Sequence, residues 1–226
     1  MPFKPTIPSL PFRGGGLFRN GPAGLAGQGV QLKVMSFNVW SENSSLLPAA
    51  KLIRKKDLDI LLLQEVVSRY PITPLMVSRK LGLTQAVRVD TAAGAITVFN
   101  VHPQRGNWKR RHWQMTTLLQ GHLLPTPGPV LLGGDFNTTD RSQTYRMLSR
   151  QLRNAHWEAG RGFGFTYPAN LHAWGEFLPA WPLVRIDHIF YNRYFQAVSA
   201  ETLRESCGSD HLPVMANLML LKNPER

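Results

Sequence analysis

Asp135 and Asn137 stand two positions apart, just after the apolar run Val130-Leu131-Leu132 and the pair Gly133-Gly134. Residues i and i+2 of an extended chain point to the same face, so a carboxylate and a carboxamide project together from a strand end. An acceptor is thereby placed beside a donor, aimed at one point. The paired glycines read as the place where the backbone turns hard. Gly, Asp and Asn are also ordinary turn formers, so the pattern needs company before it argues for a site.

Company is present. Five other strand-like runs carry polar groups at their ends: Val34 to Asn38, Ile60 to Glu65, Ile96 to His102, Val184 to Ile189 with Asp187, and Ser209 to Val214 with Asp210 and His211. A carboxylate at the end of a buried strand is either tied to a cation or pointed into a cleft. Seven histidines are present, but none forms a His-x-x-x-His or His-Glu-x-x-His pair, so the pattern does not favour zinc.

The elements that must position these groups are legible from periodicity. Strands are expected over Gln31–Asn38, Asp59–Glu65, Val184–Tyr191 and Phe195–Glu205, with a last one opening near Ser209 and running to Leu221. Ile60 to Leu63 is continuously apolar, as in a sheet covered on both faces. Thr84–Asp90 and Ala95–His102 form a hairpin. Four helices are expected. The first is capped by Ser44 or Ser45, with Leu46, Ala50 and Ile53 aligned. The second spans Pro71–Leu83. The third spans Gln104–Leu124 on a stripe of Trp108, Met115, Leu118 and Leu119. The fourth spans Arg141–Arg153, with Tyr145, Leu148 and Leu152 inward. Lys109 to His112 with Trp108 and Trp113 reads either as a phosphate patch with stacking aromatics or as a solvated basic face. Residues 157–183 form a long Gly/Pro- and aromatic-rich loop of the kind that carries function.

Composition bounds the partners. A formal charge of +12 favours polyanions such as nucleic acid, phosphorylated ligands or an anionic membrane surface. No apolar run approaches the roughly 20 residues of a membrane span. The single Cys207 excludes an internal disulfide framework. Residues 1–30 hold seven glycines and five prolines and no acid, a disordered leader without a secretory h-region. The expected organisation is this leader, one domain over 31–222 and a tail at 223–226, monomeric and most simply cytoplasmic.

In their order along the chain, these six strand ends resemble the endonuclease/exonuclease/phosphatase superfamily of metal-dependent phosphodiesterases and phosphatases. Gly-Asp-Phe-Asn at 134–137 and Ser-Asp-His at 209–211 are the most specific parts. The resemblance runs from about Leu32 to Leu220 and implies an α/β fold, a sandwich of two mostly antiparallel sheets with helices outside. It implies Mg²⁺ or Mn²⁺ held by Glu65 and Asp210, hard oxygen ligands. It pairs Asp187 with His211 to activate water, lets Asp135 position that water, and has His102 and Asn137 donate to phosphate oxygens. Asn38 and Arg185 would contact substrate. Nucleic acid is the leading substrate on charge, with a phospholipid or small phosphate ester as the alternative. From another class comes a weakly active or inactive phosphate- or nucleic-acid-binding relic. The chain departs from the family in one place: only 37 positions separate Glu65 from His102, where relatives insert more strands. A gap beside His102, and an imidazole lacking an orienting carboxylate, are therefore expected.

Overall fold

The computed structural model describes residues 29–43, 45–65, 76–173 and 176–221. Residues 1–28 of the leader, the tail, Ser44 and the first five residues of the helix expected over Pro71–Leu83 lie outside the described residues, while Gly29 and Val30, placed in the leader by composition, open β1. The elements are β1 (Gly29–Asn38), α1 (Leu47–Lys56), β2 (Ile60–Gln64), β3 (Met76–Ser78), β4 (Thr84–Thr91), β5 (Gly94–Val101), α2 (Trp108–Leu118), β6 (Val130–Asp135), α3 (Gln143–Ser149), β7 (Arg153–Asn154), α4 (Ala155–Ala159), β8 (Asn170–Ala173), β9 (Glu176–Pro179), β10 (Asp187–Tyr191), β11 (Phe195–Thr202) and β12 (Val214–Leu221). A π-helical turn, Leu119–Leu123, continues α2.

Two mixed sheets form the body. One has the order β11-β12-β1-β2, the other β3-β4-β5-β6-β10-β7, and β8 and β9 pair only with each other. Alternation along the strands explains why the sheets stack. Val34 of β1, Leu62 of β2, Val98 of β5, Leu131 of β6 and Ile189 of β10 share one buried cluster between the sheets. The opposite faces are covered by helices. Met35 and Phe37 pack with Ala49 and Leu52 of α1, and Phe99, Leu132 and Phe190 pack with Met115 and Leu118 of α2 and Leu148 of α3. The result is the expected α/β sandwich.

Several local expectations are corrected. The inward face of α1 is Ala49 and Leu52, not Leu46 and Ala50; both of the latter are exposed, because the helix enters at Leu47-Pro48. Met76–Ser78 is a strand at the edge of the larger sheet, paired with β4, where the helix from Pro71 was expected. Trp108 is 58% exposed and leaves the apolar stripe of α2. Leu61 is exposed too, so β2 is not covered on both faces. The expected gap beside His102 does not occur, since β5 is paired with β4 on one side and β6 on the other.

His188 shows how the outer core sets acid stability. Its ring lies 5.4 Å from Phe136 and 5.0 Å from Tyr145, and its Nε2 is 3.1 Å from the Thr138 carbonyl oxygen. Burial, against the opposing pull of that carbonyl, pushes its pKa down to about 4. The unfolded chain takes up a proton near pH 6.5 while the fold resists until about 4, so stability falls as pH drops through that window. The full effect is on the order of 3 kcal/mol, from 1.36 kcal/mol per pKa unit. Urea denaturation of wild type and His188→Gln at pH 7 and near pH 4.5 checks this. The variant is expected to lose less stability on acidification, and equal losses would contradict the assignment.

Candidate active site

The polar strand ends meet at one edge of the sandwich, on the side chains that face the opposite sheet. Asn38 ends β1, and Glu65 follows β2 with φ 60°, an uncommon backbone state for a side chain of this kind. Hydrogen bonds hold it there: Asn38 Nδ2 donates to Glu65 Oε1 at 2.9 Å, and the Ser41 amide and hydroxyl both donate to Oε2 at 3.0 Å. Burial by itself would raise the Glu65 pKa, but these donors and the nearby His102 bring it below the ordinary value.

The other sheet contributes His102, Asp135 and Asp187. Asn38 Nδ2 also donates to Asp135 Oδ2 at 3.1 Å and so joins the two layers. Beneath them Gln64 Nε2 donates to Asn100 Oδ1 at 2.7 Å, and Asn100 Nδ2 donates to the Leu63 carbonyl at 2.7 Å. This second bridge fixes the neighbours of Glu65 and His102 at once. Asp135 Oδ1 accepts from the Asn137 amide at 2.8 Å, while Asn137 Nδ2 donates to the Pro103 carbonyl at 3.1 Å. His102 Nε2 faces two carboxylates, 3.5 Å from Asp135 and 3.6 Å from Glu65, and its buried Nδ1 has no partner among the described residues.

Asp187 and His211 form a buried pair, with His211 Nδ1 2.9 Å from Asp187 Oδ2. His211 Nε2 is left facing Asp135 at 3.7 Å and Asp210 at 3.9 Å. Ser209 sets the approach of this segment: its hydroxyl donates to the Asn38 carbonyl at 2.6 Å and accepts from the His211 amide at 3.0 Å. Burial opposes a charge on His211, but Asp187, then Asp135 and Asp210, push its pKa up to about 10. Burial, and then the charge of Asp187, raise Asp135 to about 6. Burial and the charge of Glu65 also raise Asp210.

Four carboxylates thus converge with two imidazoles, and a neighbouring acid helps burial to raise both Asp135 and Asp210. A hard divalent cation fits such a donor set. Asp210 Oδ1 is buried without a hydrogen-bond partner among the described residues, which suits a ligand oxygen. Asp135, Asp187 and His211 also bring ligand-type atoms together, mutually within 4.8 Å. There the His211 Nδ1 is already hydrogen-bonded to Asp187, whereas Glu65 and Asp210 are partly exposed and could also offer carboxylate oxygens to an ion.

Arg185 does not join this cluster. Its side chain is buried, 3.0 Å from Asp140 Oδ2, and stacks over the Trp157 ring at 5.2 Å. Other residues frame the pair instead. The Thr166 hydroxyl accepts from the Ile186 amide at 3.2 Å and the Asp187 amide at 3.4 Å. The Tyr167 ring lies 4.9 Å from His211. Arg105 donates to the Tyr167 hydroxyl at 2.7 Å, and Arg111 feels the charge of Asp135. The Phe-Thr-Tyr-Pro run at 165–168 was the available signal for Thr166 and Tyr167. Nothing in the pattern marked Arg105 or Ser41.

No curated protein matches this sequence. Among solved structures, a family protein from Bacteroides thetaiotaomicron aligns with a TM-score of 0.68 at 17% identity, covering 85% of this chain and 99% of that one. A mannosyl-6-phosphatase of the same organism aligns at 0.65 and 17%, covering 84% and 100%. Truncated TDP2 of Caenorhabditis elegans aligns at 0.60 and 19%, covering 84% and 98%. At these identities the likeness is one of fold. The sequence model described as "Endonuclease/Exonuclease/phosphatase family" matches residues 35–211, the stretch from β1 to His211 that carries all the converging side chains. The chain belongs to the endonuclease/exonuclease/phosphatase family, whose members are divalent-metal-dependent phosphoester hydrolases.

Proposed function

We propose that this protein hydrolyses phosphoesters with a divalent cation, Mg²⁺ or Mn²⁺, by direct attack of water on phosphorus. The observation that carries the reading is the Asp187–His211 pair, buried and hydrogen-bonded, with its free Nε2 turned towards the carboxylate cluster. Asp187 fixes the imidazole so that Nε2 receives the proton of the attacking water. Asp135, raised by burial and by Asp187, faces the same nitrogen and orients that water. Asn38, with both amide hydrogens committed to Glu65 and Asp135, acts as a brace between the layers. Asn137 uses one amide hydrogen on Pro103 and keeps the second for a phosphate oxygen. His102 offers its ring across from Glu65.

Glu65 and Asp210 would hold the ion. When bound, it polarises a phosphoryl oxygen and offsets the carboxylate field that keeps a proton on His211. No serine or cysteine nucleophile is required. The lone thiol, Cys207, is raised by burial and then by Glu205, which makes it a poor nucleophile.

The charge of +12 supports a polyanionic substrate, nucleic acid or a phosphorylated surface. Turnover of a generic phosphodiester with Mg²⁺ or Mn²⁺, and its loss in excess chelator, tests the reaction and separates an enzyme from a binding relic. Glu65→Gln is expected to raise the metal concentration needed for half-maximal rate well before it lowers the melting temperature. Full activity in chelator would rule the mechanism out. Comparing plasmid DNA, RNA, sphingomyelin and inositol phosphates then ranks the substrates.

A further inference from the structure

The hairpin β8–β9 belongs to neither large sheet. A two-stranded ribbon is marginally stable in water by itself, yet this one turns large apolar side chains outward. Leu171 and Leu178 are direct cross-strand partners, 51% and 38% exposed. The segment leaving the hairpin exposes Trp181 at 88% and Leu183 at 68%. Neighbouring apolar side chains left open to water mark interaction surfaces.

This wall is rooted in the candidate active site. The Ala169 amide donates to the Asp210 carbonyl at 2.7 Å, and the Leu212 amide donates to the Thr166 carbonyl at 2.8 Å. The Ala180 and Leu183 amides return to the Ala169 and Tyr167 carbonyls, which closes the base of the hairpin. Asn170 Nδ2 donates to the Ser209 carbonyl and the Ser206 hydroxyl, so the start of the Ser-Asp-His segment is tied to the hairpin. Whatever the hairpin rests on therefore lies beside Asp210 and His211.

We propose that this wall docks the protein on an anionic phospholipid bilayer and brings headgroup phosphoesters to the adjacent site. The inference rests on the phosphoester hydrolysis proposed above and names its substrate class. The chemistry of the wall distinguishes a bilayer from a nucleic acid. Residues 167–183 contain no lysine or arginine, and their one charged residue is Glu176. A phosphate backbone needs cations to neutralise it, and residues 167–183 supply no lysine or arginine for that purpose. A bilayer interface takes exposed leucine and tryptophan directly, tryptophan settling at headgroup level. The overall charge of +12 supplies the attraction to anionic lipid.

The test is flotation with vesicles of phosphatidylcholine, with and without phosphatidylglycerol, using the whole protein and the variant Trp181→Ser/Leu183→Ser. Wild type is expected to float with the anionic vesicles. The variant is expected to partition roughly tenfold or more weakly, since two large apolar side chains are withdrawn. Leu171→Ser/Leu178→Ser provides a second variant should the first fold poorly. Turnover of soluble bis(p-nitrophenyl) phosphate should be unchanged in both variants, while hydrolysis of vesicle phospholipid falls with binding. Wild type that fails to float, or variants that float equally well, would overturn the proposal. So would variants that lose single-stranded DNA binding with no vesicle binding in wild type, or that convert a dimer to a monomer. If wild type floats and the variants do not, yet neither the soluble ester nor the lipid is hydrolysed with metal, docking stands and the proposed reaction is what fails.

Discussion

Replacing His211 by alanine is expected to lower kcat by roughly 10²–10⁴, the range for loss of a positioned acid–base group. The ring is buried, its Nδ1 is committed to Asp187 at 2.9 Å, and its Nε2 faces the carboxylates of Asp135 and Asp210. His102 is no substitute, because it sits across the cluster against Glu65 and Asp135. Alanine also leaves a void, so the informative companion is Asp187→Asn, which keeps volume and removes charge. Asp187 is the strongest of the influences that raise His211. Its loss should lower the imidazole pKa and misorient the ring, reducing kcat in the same direction with little change in KM. Steady-state rates with saturating metal, alongside circular dichroism melts, separate this from unfolding. An Asp187→Asn enzyme with wild-type kcat would remove the pair from the mechanism.

The largest expected effect on stability is that of Gly134→Ala. The residue sits inside β6 at φ 152°, and a Cβ there would stand 2.0 Å from the Val101 carbonyl oxygen. That atom is backbone of the neighbouring strand, in register with Gly134 itself, and cannot rotate away. Overpacking of a rigid core costs about 1–3 kcal/mol and occasionally more. With an added backbone clash, a loss of at least about 3 kcal/mol is expected. Gly133→Ala meets Leu62 Cδ1 at 2.4 Å, the end of a flexible side chain, and should cost less. Urea midpoints of the two variants give the order, and a Gly134→Ala protein as stable as wild type would refute the argument.

This pair also shows what the sequence could and could not tell. The glycines were expected to turn the backbone hard. Instead they lie within the strand, and their role is to let Val101 and Leu62 approach. Close approach is a property of neighbours distant in sequence, so no local pattern reveals it. The polar strand ends were legible because each marks where an apolar run stops, and the fold brings all but Arg185 to one edge. Arg185 shares its strand face with Asp187 in the pattern, but Asp140, which pairs with it, lies 45 positions away. The α1 register slipped for a local reason: Pro48 starts the helix one step later than the serines suggested. Gln64 and Asn100 had no role in the sequence pattern, yet they form the bridge beneath the site. A buried amide pair between layers is visible only once the layers are stacked.

The position of β12 has a consequence for how the molecule comes to be made. That strand lies between β11 and β1 and is hydrogen-bonded to both, so the earliest described strand pairs with the latest. During synthesis β1 can pair with β2 early but waits for its second partner some 185 positions behind it, on the order of ten to forty seconds at ordinary ribosome speeds. Asp210 and His211 are delivered in that same final stretch. A nascent chain stalled before them would already carry Asn38, Glu65, His102, Asp135 and Asp187, but no base to set against water. On the proposed mechanism, hydrolytic competence therefore arrives with the closing strand.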